Sequence, residues 1–254
     1  MNKKKRNNFD DKRLKENLEY LKLNSFIEEY EDIAGFAQKE NWGYDKYLLE
    51  LSNGEATARK ERMVQRRIRT AKFPVTKTLD EFDWTWPKKI NRLQTEALFR
   101  LRFVEKNTNI IFMGGVGLGK SHLSCALGYQ ACMKGLSVLF ASAIDIINSL
   151  NAAQNAGRFK QQINKYLKPK ILVIDELGYL PVDRKGADTL FQVICKRYEK
   201  APVILTTNKP FKKWPEIFAN DSTLTSAVLD RLLHHAEVIT IEGKSYRMKD
   251  NDNS

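Results

Sequence analysis

Apolar residues along this chain follow two different rhythms. Up to about residue 73 they recur three and four positions apart, which predicts helices. Leu14, Leu18 and Leu21 line one face of a first helix. The segment "NSFIEEYEDIAGFAQKEN" opens on Ser25 and Glu28 at capping-box spacing and carries Phe26, Tyr30, Ile33 and Ala37 along one face. "YDKYLLEL" predicts a short helix ending before Asn53-Gly54, and an arginine-rich helix follows. Pro74 stops that helix, and "PVTKTLDEFDWTWPKKI" reads as an extended, aromatic-rich linker closed by Pro87. One further helix is expected at about 88–105.

Beyond it the rhythm shortens. "NIIFMG", "SVLFAS", "KILVIDE", "PVILTTN" and "EVITIEG" are brief apolar runs rich in β-branched residues, with helical stretches between them. Strand and helix in alternation predict a mostly parallel sheet with helices on both faces. The expected organisation is a small helical domain over residues 1–73, a linker over 74–87 and an α/β core over 88–254. Phe82, Trp84 and Trp86 of the linker either stack on a ligand base or pack under the core. Core packing is expected of both Trp, and Phe82 is open.

Composition adds a charge. Lys and Arg outnumber Asp and Glu 43 to 31, a formal +12 that favours a polyanionic partner. Half of the excess lies in residues 59–72, where seven basic residues meet Glu61 alone for a net +6. Arg59, Arg62, Arg66 and Arg69 share one helix face, with Thr57, Val64, Ile68 and Ala71 on another. A solvated face ordinarily mixes signs. The stripe can contact phosphates, meet an acidic face of a neighbouring subunit, or simply face water. No run of about 18 apolar residues offers a membrane span. The basic N-terminus leads into no apolar stretch and so does not read as a secretory signal. Cys125, Cys132 and Cys195 read as buried, reduced thiols of a cytoplasmic protein. His122, His234 and His235 have no clustered metal-ligand partners in the sequence.

The chemistry centres on "GGVGLGKS", which satisfies G-x-x-x-x-G-K-[ST] between an apolar strand and a helix. Gly114, Gly115, Val116, Gly117, Leu118 and Gly119 form a loop whose N–H groups can converge on phosphates at a helix N-terminus that continues into His122. Lys120 adds a point charge, and the Ser121 hydroxyl suits Mg²⁺. "KILVIDEL" places Asp175 and Glu176 at a strand end, Asp175 toward the metal and Glu176 toward an attacking water. Asn208, at the tip of "PVILTTN", can orient that water.

The phosphate loop, "IDE" and "TTN" in this order resemble the AAA+ ATPases. The tail "VLDRLLHHAEVITIEGKSYRMK" is similar to that of the IstB and DnaC group. "RRIRTAKFPVTKTLDEFDW" and "DELGYLP" resemble the IstB-like family in particular, the ATP-dependent helpers of two-gene insertion sequences. The resemblance implies an AAA+ core without a sizeable C-terminal lid. It implies ATP and Mg²⁺ as cofactors, Asn208 as first sensor, Arg231 as an arginine finger for a neighbouring subunit, and Arg247 as second sensor. Arg231 can also be an ordinary surface residue pairing with Asp230 or Glu237. The initiator branch carries a helical insertion where "DIINSLNAAQNAGRFKQQINKYLKPK" lies. Arg158, Lys160, Lys165 and Lys168, with Arg184 and Lys185, are therefore candidates for DNA or for solvent. The implied function is ATP-dependent self-assembly on duplex DNA, without base readout, that recruits and activates a transposase. A DnaC-like helicase loader on single-stranded DNA and a nucleotide-gated scaffold without turnover are the alternatives.

Overall fold

The structure is a computed structural model that describes residues 8–246. It divides into two compact units, one ending at Gln65 and one beginning at Arg66.

In the first unit, α1 (Asn8–Tyr20), α2 (Asn24–Lys39) and the larger part of α3 (Tyr44–Ala71) bury Leu18, Tyr30 and Leu51. Where two helices were expected, α3 runs unbroken through Asn53-Gly54 for 28 residues. A helical glycine costs about 1 kcal/mol relative to alanine, too little to stop a helix of this length. Here it also makes room, because a Cβ on Gly54 would meet Glu29 Oε2 at 2.8 Å. The expected capping box does not form. Ser25 sits inside α2 rather than at its N-cap, so its hydroxyl has no orphan amide to take. Its own N–H donates instead to Glu55 Oε2 of α3 at 3.0 Å, so a distant carboxylate caps α2.

The second unit starts with the last turn of α3, whose Ala71 is fully buried. Leu101, at φ 59°, breaks the helix expected over 88–105 into α4 (Arg92–Leu98) and α5 (Arg102–Glu105). Next come β1 (Asn109–Gly114), α6 (Lys120–Met133), β2 (Val138–Ser142), α7 (Ala143–Asn155), α8 (Phe159–Leu167) and β3 (Ile171–Leu177). They are followed by α9 (Arg184–Arg197), β4 (Val203–Thr207), α10 (Ser222–Leu233) and β5 (Ala236–Ile241).

Among the described residues the strands form one all-parallel sheet in the order β2-β3-β4-β1-β5. Successive strand residues feed opposite faces. Ile110, Phe112, Ile171, Val173 and Ile204 join the core under α6, while Ile111, Leu172, Ile174 and Leu205 join the core under α7 to α10. Both faces are covered, which is why the strands read as continuous apolar runs. With α6 on one face and α10 on the other, the connections leaving β1 and β4 diverge. That divergence opens a crevice at the carboxyl ends of these adjacent strands.

One buried charge ties this sheet together. Arg197 is 2% exposed and donates to the carbonyls of Tyr166, Leu167, Pro169, Lys170 and Pro202. It joins the end of α8 to the starts of β3 and β4. Burial pushes its pKa down to about 10, so it stays charged at neutral pH. Cys125 and Cys132 are buried thiols, and burial pushes their pKa up to about 12 and about 11. Cys195 departs from expectation in being only half-buried.

Candidate functional site

The phosphate loop joins the carboxyl end of β1 to α6. Gly117 and Gly119 hold φ of 74° and 83°, the left-handed region that turns successive N–H groups inward. Neither position has room for a side chain. Ser245 lies against Gly117, and the Phe82 ring lies 2.5 Å from where a Gly119 Cβ would stand. Lys120 folds back to donate to Gly115 O at 2.5 Å. Val116 is exposed, at the loop tip, and Leu118 is buried beneath it. His122 points away from the loop centre: its Nε2 lies 2.8 Å from Thr78 O, and its ring meets Phe82 edge-on.

A cavity of about 320 Å³ adjoins the loop, lined by Lys77, Phe82, Asp83, Trp86, Leu118 and Tyr246 among others. Of the linker aromatics, Phe82 is buried and Trp84 packs at the edge of the core. Trp86, expected in the core, instead faces this cavity. Its Nε1 donates to Lys244 O at 2.9 Å, and its ring meets Tyr246 at 82°. Tyr246 N in turn donates to Gly117 O at 2.8 Å. The segment after β5 therefore straps the phosphate loop, a contact between residues more than 120 positions apart that no local pattern announces.

Opposite the loop, β3 and β4 lose register. Ile174 pairs with Leu205 and Leu177 with Thr207, so Asp175 and Glu176 together oppose the single Thr206. This bulge sits at the site, where bulges re-aim side chains. Asp175 is 7% exposed, and its Oδ1 accepts from Ser121 Oγ at 3.0 Å and Thr206 Oγ1 at 2.5 Å. Glu176 holds φ 59°, its N–H donates to Thr206 Oγ1 at 2.9 Å, and its carboxylate is exposed. Asn208, at the end of β4, has a buried Oδ1 with no partner among the described residues. Ser121 and Asp175 are thus within hydrogen-bond distance, and Glu176 lines the same groove. Thr206 was not foreseen, because its role depends on strand register.

The profile of the family described as "IstB-like ATP binding protein" matches residues 16–254. The chain belongs to this family. The IstB-like chain is 41% identical over 234 residues to the insertion sequence IS232 ATP-binding protein of Bacillus thuringiensis subsp. berliner, covering 92% of this chain and 93% of that one. It is 38% identical over 233 residues to the insertion sequence IS21 ATP-binding protein of Pseudomonas aeruginosa, covering 92% and 88%. Among solved structures it is similar in fold to AMPPCP-bound DnaA from Aquifex aeolicus. That match has a TM-score of 0.56 at 20% identity over 72% of this chain and 55% of that one. It is also similar to the DnaC helicase loader, with a TM-score of 0.53 at 22% identity over 65% and 96%. The fold is that of an AAA+ P-loop protein with a helical N-terminal part, and no helical lid follows β5 among the described residues.

Other expected residues lie elsewhere in the IstB-like chain. Arg231 is outside the cavity lining. It donates to Ala227 O at 2.9 Å and stacks over Phe191 at 5.2 Å, rather than pairing with Asp230 or Glu237. Arg247 lies outside the described residues. In the first unit, Glu55 is 5% exposed and pairs with Arg62 at 2.7 Å and Arg59 at 3.7 Å. Burial alone would raise the Glu55 carboxyl; the Ser25 amide and Arg62 outweigh it and hold it below its ordinary value. In the second unit, Arg66 and Arg69 are exposed and form no ion pair among the described residues.

Exposed Arg158, Lys165 and Lys168 line a groove between α7 and α8, and exposed Lys160 stands outside it. A second groove runs from Lys72 and Lys165 to Asp175 and Glu176. Arg184 pairs with Asp221 at 3.6 Å and Lys185 donates to Asn155. The fold also gives the surface histidines a partner that sequence spacing lacked. Ligand atoms of Glu199, His234 and His235 lie within 4.8 Å of one another, with Tyr198 Oη 2.8 Å from His234 Nδ1. No helix among the described residues is long and apolar enough to cross a membrane.

Proposed function

We propose that this protein is an ATP-driven, DNA-binding regulator of transposition. It hydrolyses ATP to ADP and phosphate and self-assembles on duplex DNA without reading base sequence. The assembly recruits and activates a transposase, and hydrolysis resets it. The observation that carries this reading is the contact of Ser121, on the helix after the phosphate loop, with Asp175 at the bulge that also holds Glu176. The insertion-sequence names of its relatives support the transposition role.

The residues present fit both cofactors. Inward-turned loop amides suit phosphates, and a hydroxyl beside a buried carboxylate is a hard oxygen donor pair for Mg²⁺. Bound Mg²⁺ supplies charge neutralisation and orientation at the phosphate oxygens. Ser121 and Asp175 would hold it, and Lys120 would turn its ammonium from Gly115 O to the phosphates. Glu176, open to the groove, polarises the attacking water, and the orphan Asn208 amide orients it. Arg231 serves the site of a neighbouring subunit and Arg247 that of its own. An arginine acting in trans makes hydrolysis depend on assembly. The Arg59 to Arg69 stripe and Arg158, Lys160 and Lys165 contact DNA phosphates, where repetition around an oligomer adds weak contacts together.

Glu176→Gln keeps the shape of the site and removes the carboxylate that polarises water. It is expected to hold ATP-bound oligomers on duplex DNA, read by size-exclusion and filter retention. A variant that stays monomeric with ATP and DNA overturns the assembly reading. The likeness in fold to the DnaC loader supports a second reading, and tighter binding to single strands than to duplex is the outcome that favours it.

A further inference from the structure

We propose that Thr206 is a positioning residue that couples the carboxylate of Asp175 to the backbone of Glu176. The inference rests on the ATPase reading above for its consequence, and on the β3–β4 bulge for its geometry. A threonine hydroxyl has one proton and two lone pairs. Thr206 commits the proton to Asp175 Oδ1 at 2.5 Å and accepts the Glu176 N–H at 2.9 Å. These are the two residues of β3 that oppose it across the bulge. One side chain therefore fixes both carboxylate-bearing residues at once.

Three observations give this arrangement its force. Thr206 is fully buried, so no water replaces a lost partner, and an unpaired buried N–H is costly. Glu176 stands at φ 59°, a conformation that a non-glycine residue keeps only when its surroundings hold it. Asp175 Oδ1 accepts two hydroxyls, and they are not equivalent. Ser121 Oγ belongs to the phosphate-loop helix and can turn to a cation. Thr206 Oγ1 is held on Asp175 by its second bond to Glu176. When Ser121 turns away, Thr206 remains to keep Asp175 in place and Glu176 aimed. The neighbouring Thr207, equally buried, only closes a local turn with Lys209 and touches neither carboxylate.

The test compares Thr206→Val, Thr206→Ser and Thr207→Val in the full chain. Val keeps the branched shape and removes both bonds, Ser keeps the hydroxyl, and Thr207→Val is an equally buried control. In nucleotide-free protein, amide exchange at Glu176 and Leu177 is expected to rise about tenfold or more in Thr206→Val alone. With ATP, the same variant is expected to bind nucleotide without Mg²⁺ within about twofold of the parent. It should gain less affinity on adding Mg²⁺ and lose about a hundredfold in kcat, the order expected of a small misplacement at a reacting centre. Thr206→Ser should restore both readouts.

Parent-like exchange and turnover in folded Thr206→Val would overturn the proposal, as would equal damage from Thr207→Val. If Val prevents folding, Thr206→Ala carries the same comparison. If the parent chain itself does not hydrolyse ATP, the ATPase reading fails, and the exchange and Mg²⁺-affinity arms alone decide for or against Thr206.

Discussion

Two regions of this molecule handle charge in opposite ways. At the carboxyl edge of the sheet, Ser121 of α6 and Asp175 and Glu176 of β3 line one groove, with Lys120 beside Ser121 on the phosphate loop. Along α3, arginines are strung out on a single helix, and the structure splits them by environment. Arg59 and Arg62 rest on the buried Glu55 carboxylate, while Arg66 and Arg69 stand in solvent. A stripe read from spacing is therefore not a uniform surface. Converged charge is held by partners already present; strung-out charge is available only where no internal acid has claimed it.

The largest expected effect lies in the crevice. Lys120→Ala removes the ammonium that rests on Gly115 O of the phosphate loop, and ATP affinity is expected to fall about a hundredfold, on the scale of a lost charge-assisted contact. Reversing Arg59 and Arg62 should leave that affinity unchanged. Isothermal titration with ATP measures both, and equal losses would abolish the contrast.

Within the stripe, Arg66→Ala with Arg69→Ala is expected to lower the salt slope of DNA binding by about two. The Arg59 and Arg62 pair should lower it less, because Glu55 already neutralises part of their charge. If neither pair moves the slope, the stripe meets protein rather than DNA.

Smaller still is the effect of Glu55→Gln. It weakens the cap on α2, worth about 1 kcal/mol in urea unfolding. The carboxyl is held below its ordinary 4.5, so its contribution is complete above that pH and is lost as pH falls below it. The parent should therefore lose stability on acidification in that window, and the Gln variant should show a flatter profile.

Much of the crevice was legible in the sequence. The phosphate-loop spacing demanded positive-φ glycines, and the apolar run Ile171–Ile174 demanded a buried strand ending in Asp175 and Glu176. The strands and their parallel arrangement followed from the same runs. What escaped notice is set by register and by distant partners. Thr206 matters because β3 gains one residue against β4; Trp86 and Tyr246 meet only after the chain has closed; Glu55 lies outside the window in which the stripe was counted. Ser25 and Glu28 had the right letters for a capping box, but the helix begins two residues earlier, with Leu23 at its N-cap.

In the proposed function, Glu176 at the β3–β4 bulge serves the hydrolysis of ATP and not its binding. Phosphate release measured beside ATP binding in parent and Glu176→Gln, with and without duplex DNA, tests it most directly. The variant is expected to bind ATP as the parent does and to release phosphate at least a hundredfold more slowly. Parent-like turnover in the variant, or loss of ATP binding along with turnover, would contradict it.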